Sequence, residues 1–296
     1  MIMAEKLKHG DYIGIIAPSH IADKERYNKY FSEIRTIGFN IIEGQNMYKN
    51  TYGFIASEQE RADDLNNMIK NNEVKMVFFG GGIGSNEIIP LIDYINIQKN
   101  PKIICSYSDG TTILNVIYAK TDITVYYGQT PGIFNGIRLY DYNQFITNFV
   151  NKNLSSFIKN SEWKTLNTGI GEGILIGGYT ENMALLMGNK YYSLNEKNKY
   201  ILFLENHERF NSPAEISVHL SCIEQNDIIK NINGLLFGHY SDKECPELEQ
   251  CLERFGKKHN IPIIKCDDFG HGMNHGIIPI GQNARIDTEK NTLEYI

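Results

Sequence analysis

The sequence predicts an α/β protein, and two features of the chain predict it. In the first half, apolar segments of strand length alternate with longer segments whose apolar residues recur at helical spacing. This alternation is typical of βαβ units, in which loops at the carboxyl ends of parallel strands form the site. The length of 296 residues suits roughly two domains. We therefore expect an N-terminal parallel-sheet domain of the Rossmann or flavodoxin type and a smaller C-terminal α/β domain.

The elements of the first half follow from this pattern. Ser57 and Glu60 have the spacing of a capping box, which predicts that a helix begins there. Strands are predicted at residues 12–17, 40–43, 74–79 and 102–105, and helices at residues 22–37, 57–71, 86–97 and 111–119.

The second half begins with a segment of weak pattern. Periodicity fades over residues 138–170, which we interpret as a connection between domains. Strands are predicted again at residues 173–178, 200–204, 235–238 and 261–265, and a β-rich tail follows. The predicted organisation is an N-terminal domain over residues 1–150, a linker over residues 151–170 and a C-terminal domain over residues 171–296.

Composition argues against several classes of partner. The net charge of −6 argues against a nucleic acid or an anionic membrane as the main partner. No apolar run approaches the roughly 20 residues of a membrane span, and no secretory signal is visible. The five cysteines are scattered without a CxxC pair, which is typical of reduced thiols in a cytoplasm. We expect a cytoplasmic protein without a metal or other cofactor.

The segment 106–110 is the strongest indication of chemistry. It joins a predicted strand to a predicted helix, so Ser108 lies at a sharp turn between them. The small residues Ser106 and Gly110, two before and two after, let such a turn close, as in a nucleophile elbow. The helix that follows directs its amide groups toward the group under attack. Ser108 is therefore the candidate nucleophile.

A serine nucleophile needs a base, and the base needs a carboxylate that orients it. His271 is the best candidate for the base, because glycines flank it and it follows the strand at residues 261–265. His275 is the nearest competitor. Other histidines lie in charged contexts that indicate solvated positions: His9, His207 and His259. Glu205 is the best carboxylate, since it ends an apolar run where functional groups collect.

A glycine-rich segment, residues 80–85, follows the third predicted strand. It lacks the lysine of a P-loop and the spacing of G-x-G-x-x-G, so nucleotide binding is not favoured. The N–H of a glycine here, paired with that of Asp109, would hold the charge of a tetrahedral intermediate.

His271 and His275 form an H-x-x-x-H pair, but surrounding glycines and the lack of a following glutamate argue against zinc.

Two other classes share parts of this pattern. An α/β-hydrolase esterase has the same Ser…Glu…His order but carries an HGGG-type oxyanion motif, and this chain has the glycines 80–82 without the histidine. A two-domain protein that only binds a small molecule would keep the cleft without chemistry. The complete set of Ser108, Glu205 and His271 argues against that alternative.

Six ordered segments resemble the LD-carboxypeptidase family of serine peptidases, which includes the microcin-immunity proteins. They are GDYIGIIAPS at residues 10–19, RADDLN at 61–66, NPK with YSDGT at 100–111, GILIGG at 173–178, LFLE at 202–205, and FGH with PIG at 269–281. The resemblance extends over nearly the whole chain.

This resemblance implies roles for specific residues. It implies that Ser108 is the nucleophile, His271 the base and Glu205 the orienting acid, with the amides of Gly82 and Asp109 as the oxyanion hole. It also implies a site in the cleft between two domains, and usually a homodimer. The substrate would be a small peptide: a murein tetrapeptide that loses terminal D-alanine, or, as the alternative, a peptidyl-aminoacyl-nucleotide of the microcin type.

Four departures from the family pattern concern the substrate. Gly80 stands where R-G-G-x-G has its arginine, and the residues after Glu205 are not the usual E-D with a P-Y-R-like stretch. These two departures favour the microcin-immunity side of the family. The others are Tyr179 for the asparagine of G-G-N and Ser106 for the glycine of G-Y-S-D.

Gly81, Ser106 and Tyr107 are further candidates for contacts with the substrate. Cys105 and Tyr107 lie beside the elbow in the sequence, so both have a place near the pocket. Apolar packing beside the elbow is the alternative explanation for these two residues.

Overall fold

The computed structural model describes residues 2–151 and 154–296, so Met1 of the predicted N-terminal domain and Lys152 and Asn153 of the predicted linker lie outside it. The strands are β1 (Tyr12–Ile16), β2 (Asn40–Glu43), β3 (Val74–Phe79), β4 (Ile103–Ser106), β5 (Val125–Tyr127), β6 (Lys164–Asn167), β7 (Ile170–Tyr179), β8 (Tyr200–Glu205), β9 (Ile232–Phe237), β10 (Ile263–Lys265), β11 (Ile278–Ile280), β12 (Asn283–Asp287) and β13 (Thr292–Tyr295). The helices are α1 (Lys24–Thr36), α2 (Glu58–Lys70), α3 (Ser85–Ile88), α4 (Tyr94–Lys99), α5 (Thr111–Thr121), α6 (Leu139–Phe149), α7 (Thr180–Leu186), α8 (Pro213–Glu224) and α9 (Pro246–His259). Turns of 3₁₀ helix lie at Ile89–Leu91, Ser108–Gly110, Pro131–Phe134 and Asp227–Asn231.

The first sheet has the strand order β2-β1-β3-β4-β5-β11. Strands β1 to β5 pair in parallel, and β11 adds to the edge in the antiparallel direction. The order 2-1-3-4-5 is that of flavodoxin-like sheets, in which ligands bind beyond the carboxyl ends of β1 and β3. Both faces are covered, which explains the nearly continuous apolar sequence of β3 and β4. The prediction of a parallel N-terminal sheet is confirmed.

The second sheet has the order β13-β12-β7-β8-β9-β10-β6. Strands β7 to β10 are parallel, while β12, β13 and β6 pair in the antiparallel direction at the two edges. A second α/β unit is therefore present, as predicted. Strand β11 comes from this half of the sequence but belongs to the first sheet, so the chain crosses between the sheets near its end.

A contact between β7 and α5 brings the two sheets together behind the elbow. The amide N of Tyr179 donates to Oγ1 of Thr111 at 2.8 Å. Gly178 has a φ of +137°, and a Cβ there would lie 2.4 Å from the same Oγ1, so glycine permits the approach. Because Tyr179 pairs in register with Glu205 on β8, this contact also fixes the position of Glu205 relative to the first sheet.

The single helix predicted at residues 86–97 is wrong. The chain instead forms the short helix α3, a 3₁₀ turn and helix α4. Pro90 lies in the turn, where it has no N–H to donate and its ring opposes a continuous helix. Asp93 then begins α4, because its side chain accepts a hydrogen bond from the amide of Asn96 at 3.0 Å.

Residues 138–170 contain regular structure that weak periodicity did not predict. They include helix α6 and strand β6, which pairs with β10 at the edge of the second sheet. Helix α6 buries polar side chains as well as Phe145 and Phe149, and these are Asp141, Gln144 and Asn148. Hydrogen bonds to these polar groups replace apolar contacts, so the buried face does not read as an apolar stripe.

Two findings concern the predictions made from composition. Within residues 2–151 and 154–296, no helix combines the length and the apolar composition that crossing a bilayer requires. All five cysteines are free thiols.

Candidate active site

Ser108 lies between β4 and α5 in a strained backbone conformation. Its φ is +55°, in the left-handed region that favours glycine. The turn needs small neighbours, because a Cβ on Gly110 would lie 2.2 Å from Oγ of Ser106. Ser106 is fully buried beneath the turn and outside the cleft described below, which gives it a packing role here. A serine at positive φ between a strand and a helix has the geometry of a nucleophile elbow.

Three side chains from distant parts of the sequence meet at this turn. Nε2 of His271 lies 3.1 Å from Oγ of Ser108, and Nδ1 of His271 lies 2.8 Å from Oε2 of Glu205. Glu205 ends β8 and is fully buried. With Nδ1 donating to the carboxylate, Nε2 remains as the acceptor for the Ser108 hydroxyl. This arrangement is that of a Ser–His–acid triad.

Tyr127 completes the network, and sequence analysis missed it. It ends β5 and is fully buried, and its hydroxyl donates to Oε1 of Glu205 at 2.5 Å. The same hydroxyl accepts a hydrogen bond from the backbone amide of Ser108 at 3.0 Å. Burial, reinforced by the charge of Glu205, raises the pKa of Tyr127 well above its usual value, so the phenol remains a donor.

The glycine loop after β3 lies directly against the nucleophile. A Cβ on Gly81 would lie 2.6 Å from Cβ of Ser108, so only a residue without a side chain fits there. Gly82 has a φ of +147°, and a Cβ on it would lie 2.1 Å from the carbonyl oxygen of Ser19. That oxygen accepts a hydrogen bond from the amide of Ile83 at 2.8 Å, which holds the loop against the end of β1. Glycine at positions 81 and 82 therefore permits this close approach of the loop to Ser108 and to Ser19.

Asp109 connects this loop with the elbow. Its Oδ2 accepts a hydrogen bond from the amide of Ser85 at 2.8 Å, and its carbonyl oxygen accepts one from Oγ of Ser85 at 2.7 Å. Its Oδ1 accepts from Nδ2 of Asn182 at 3.0 Å. The amide of Asp109 lies in the first turn after β4, where an N–H has no partner within the helix. Among the described residues, the amide of Gly82 makes no hydrogen bond either.

Aromatic rings surround the imidazole of His271. The ring centroids of Tyr107, Tyr179 and Phe210 lie 4.7, 5.2 and 5.2 Å from that of His271. These rings exclude water from the face of the imidazole, which strengthens its hydrogen bonds. Gly270 has a φ of +103°, and a Cβ there would lie 2.7 Å from Oε2 of Glu205, so the loop can bring His271 to the carboxylate only through glycine.

The network opens into a cleft between the two sheets, with a volume of about 1080 Å³. Gly81, Gly82, Tyr107, Ser108, Asp109 and His271 all line it. Exposed apolar side chains form its rim, and these are Phe54, Ile83, Leu185 and Phe210. Charged groups also line it, and these are Glu87, Glu181 and Arg209. Glu87 pairs with the buried Arg61, whereas Glu181 and Arg209 form no ion pair within the described residues.

The histidine that competes with His271 in the sequence lies in another network. Nδ1 of His275 lies 3.2 Å from Oδ2 of Asp141, and the amide of His275 donates to Oδ1 at 2.9 Å. Arg138 also pairs with this carboxylate at 3.1 Å.

The expectation of a solvated His207 is wrong, because this residue is 6 % exposed and its Nδ1 accepts a hydrogen bond from the amide of Arg209 at 3.1 Å. Its charged neighbours in sequence point outward while the ring packs inward.

His20 occupies the space beside Gly80. A Cβ on Gly80 would lie 3.1 Å from Cε1 of His20, and Nε2 of His20 lies 2.7 Å from the hydroxyl of Tyr27. Burial lowers the pKa of His20, which favours a neutral ring at the cleft wall.

Cys105 is buried behind the elbow, where its Sγ lies 3.6 Å from the carbonyl oxygen of Gln129. It packs in the sheet and does not line the cleft.

No metal centre is indicated in the part of the chain that the structure describes. Within it, no group of three or more His, Cys, Asp or Glu side chains is arranged to hold a metal ion. His271 is engaged by Ser108 and Glu205 through its two ring nitrogens.

Relatives of known sequence match the chain along almost its full length. A putative carboxypeptidase of Treponema pallidum is 28% identical, with 97% of this chain and 93% of the relative covered. A probable murein peptide carboxypeptidase of Bacillus subtilis is 27% identical, with 97% and 92% covered. The microcin C7 self-immunity protein MccF of Escherichia coli is 25% identical, with 99% and 95% covered.

Solved structures show the same fold. The MccF-like protein of Bacillus anthracis has a TM-score of 0.89 at 25% identity, covering 100% of this chain and 99% of that one. MccF in complex with aspartyl sulfamoyl adenosine has a TM-score of 0.88 at 23% identity, covering 100% and 98%.

Family models account for both halves of the chain. The LD-carboxypeptidase N-terminal domain matches residues 13–128, which include most of β1, all of β2 through β5 and the nucleophile elbow. The LD-carboxypeptidase C-terminal domain matches residues 172–286, which include Glu205 and His271. The resemblance noted in the sequence is therefore confirmed, and the chain belongs to the LD-carboxypeptidase family.

Proposed function

We propose that the chain is a serine carboxypeptidase that hydrolyses the L,D-amide before the terminal D-alanine of a murein tetrapeptide. The observation that carries the proposal is the hydrogen-bonded series Ser108–His271–Glu205 in a cleft of about 1080 Å³. Membership of the family and the relative named a probable murein peptide carboxypeptidase support the class of bond.

In the acylation step, Oγ of Ser108 attacks the amide carbonyl carbon while Nε2 of His271 takes the hydroxyl proton. Glu205 stabilises the imidazolium that forms. The carbonyl oxygen becomes an oxyanion, which accepts hydrogen bonds from the amides of Gly82 and Asp109. Each such donor contributes about 3 kcal/mol to stabilising the transition state.

The intermediate then collapses and the C–N bond breaks. His271 gives its proton to the departing nitrogen of D-alanine, and an ester to Ser108 remains. In the second half of the reaction, His271 takes a proton from water, which attacks the ester. Collapse releases the shortened peptide and returns the proton to Ser108.

A second candidate substrate is a peptidyl-aminoacyl-nucleotide of the microcin type. The apolar rim of Phe54, Ile83, Leu185 and Phe210 favours it, since exposed apolar groups around a cleft suit a ligand with a flat apolar part such as a base. The match to MccF over 99% of the chain supports the same candidate. The chemistry at Ser108 would be the same for both substrates.

We also propose a cytoplasmic homodimer, with domains over residues 1–150 and 171–296 and a linker over residues 151–170. The five free thiols support a reducing compartment. The family resemblance supports the dimer.

A serine-directed phosphonate tests the proposed chemistry. Intact mass and peptide mapping should place one adduct on Ser108 of the wild type and none on a folded Ser108→Ala variant. Absence of an adduct at Ser108 in a folded wild type would refute a serine mechanism. Incubation with the tetrapeptide L-Ala-γ-D-Glu-meso-diaminopimelate-D-Ala and, separately, with a peptidyl-aminoacyl-adenylate would then decide between the two substrates.

A further inference from the structure

The hydrogen bonds around Ser108 form a closed ring. Oγ of Ser108 meets Nε2 of His271, Nδ1 of His271 meets Oε2 of Glu205, and Oε1 of Glu205 accepts from the hydroxyl of Tyr127. The ring closes because that hydroxyl accepts from the backbone amide of Ser108. Side chain and main chain of the nucleophile are therefore both tied to the same carboxylate.

Tyr127 forms this link between the two sheets. It stands at the carboxyl end of β5 in the first sheet, and Glu205 stands at the carboxyl end of β8 in the second. Its ring is fixed by packing, with centroids 5.6 Å from Phe203 and 6.4 Å from Tyr107. A Cβ on Gly178 would lie 3.0 Å from Cε2 of Tyr127, so the strand end of β7 also confines the ring.

One hydroxyl here performs two functions. By donating to Oε1 it leaves Oε2 for His271, which sets the rotation of the carboxylate and therefore the tautomer of the imidazole. By accepting from the amide of Ser108 it holds the residue that has a φ of +55°. The amide of Ser108 is then engaged and does not compete with that of Asp109 for an oxyanion.

We propose that Tyr127 is a positioning residue for the reaction at Ser108, acting through Glu205 and through the backbone of the nucleophile. This inference rests on the proposed serine mechanism. It predicts an effect on the rate of attack by Ser108 and not on the binding of the substrate.

The test measures the second-order rate constant for phosphonate labelling of Ser108 in the wild type, Tyr127→Phe and Tyr126→Phe. Tyr126 is the matched control, because it is the buried neighbour on β5 and its ring packs on Phe149, 5.1 Å away, in a different part of the core. Tyr127→Phe keeps the ring and removes two hydrogen bonds, so labelling should slow about 10- to 100-fold, as for the loss of bonds to a charged group. Tyr126→Phe should label at the wild-type rate.

Rescue by a conservative variant separates positioning from a merely structural role. Replacement of Tyr127 with 3-fluorotyrosine keeps the phenol and nearly the same shape, so the hydrogen bonds to Glu205 and to the amide of Ser108 remain. This variant should label close to the wild-type rate, whereas Tyr127→Phe, which keeps the ring and lacks only the hydroxyl, should stay slow. Labelling of the 3-fluorotyrosine variant as slow as that of Tyr127→Phe would overturn the proposal.

A double-mutant cycle tests whether Tyr127 acts through Glu205. The combined loss in Glu205→Gln with Tyr127→Phe should be smaller than the product of the two single losses, because the part that acts through Glu205 is lost only once. Losses that multiply would show that Tyr127 acts independently and would overturn this part. If the wild type is labelled and Tyr127→Phe is labelled equally fast, only the proposed role of Tyr127 is contradicted. If the wild type is not labelled at all, the serine mechanism itself is contradicted.

Discussion

Asn182 donates a hydrogen bond from Nδ2 to Oδ1 of Asp109 at 3.0 Å, so helix α7 of the second half holds the residue that follows Ser108. The other oxygen of that carboxylate accepts from the amide of Ser85, in the helix after the glycine loop. The buried carboxylate of Asp109 therefore connects the glycine loop and the elbow, the two segments that carry the amides proposed for the oxyanion hole.

Asn182→Ala should weaken this connection without touching the triad. Loss of a hydrogen bond to a buried charged group is expected to slow phosphonate labelling of Ser108 about 10-fold. Asn189→Ala is the matched control, because Asn189 lies just beyond α7 and bonds to Asn86 at the surface. Labelling of Asn182→Ala at the wild-type rate would show that Asp109 needs no support from the second sheet.

Gly81→Ala should displace the nucleophile. The new methyl group would lie 2.6 Å from Cβ of Ser108 and 3.2 Å from the carbonyl oxygen of Tyr107, so one of these must move. A displacement of Ser108 on this scale is expected to lower its rate of attack about 100-fold. The kinetics of phosphonate labelling would measure this loss. Gly188→Ala is the control, since a Cβ there meets no atom within 4 Å. Equal rates for the two variants would contradict the close approach.

Ser108→Gly and Ser108→Ala should differ in stability although both lack the nucleophile. Glycine adopts a φ of +55° without strain, whereas alanine does not. We expect Ser108→Gly to be more stable than Ser108→Ala by about 1 kcal/mol, as measured by urea unfolding. Equal stabilities would mean that the elbow relaxes when the hydroxyl is absent.

Asp141 should make stability depend on pH. Burial alone raises its pKa, but the hydrogen bonds and charge of His275, with the charge of Arg138, outweigh burial and leave the pKa below its usual value. A carboxyl with a lowered pKa stabilises the fold above the unfolded value of about 3.9, and that stability is lost as pH falls through the folded value.

The corresponding variant is Asp141→Asn. We expect its free energy of unfolding to lie about 1 to 3 kcal/mol below that of the wild type at pH 7. The difference should persist down to about pH 5 and shrink below about pH 4, in urea unfolding at several pH values. A difference that stays constant down to pH 3 would contradict the assignment of this carboxylate.

The sequence predicted the residues whose chemistry and local setting both stand out. Ser108 has small neighbours at a strand-to-helix turn, Glu205 ends an apolar run, and His271 stands between glycines. Two of these settings meet a local steric need, because Ser108 has a positive φ and Gly270, beside His271, approaches Glu205 closely. The distances among them depend on how the two sheets pack, and no local pattern reports that.

Tyr127 and helix α6 show where local reasoning fails. Tyr127 ends a strand of three residues that was not predicted, and a buried tyrosine in such a strand is indistinguishable from a core residue. Helix α6 buries Asp141 and Gln144, which accept hydrogen bonds from the amides of His275 and Ile277, more than a hundred residues away. Polar burial satisfied by distant groups leaves no periodic signal.

The most direct test of the proposed activity is mass spectrometry of the tetrapeptide L-Ala-γ-D-Glu-meso-diaminopimelate-D-Ala after incubation with the purified protein and, separately, with its folded Ser108→Ala variant. We predict loss of the terminal D-alanine with the wild type and an intact tetrapeptide with the variant. Release of D-alanine by both proteins would contradict Ser108 as the nucleophile. An intact tetrapeptide with a wild type that a phosphonate labels at Ser108 would contradict the murein substrate.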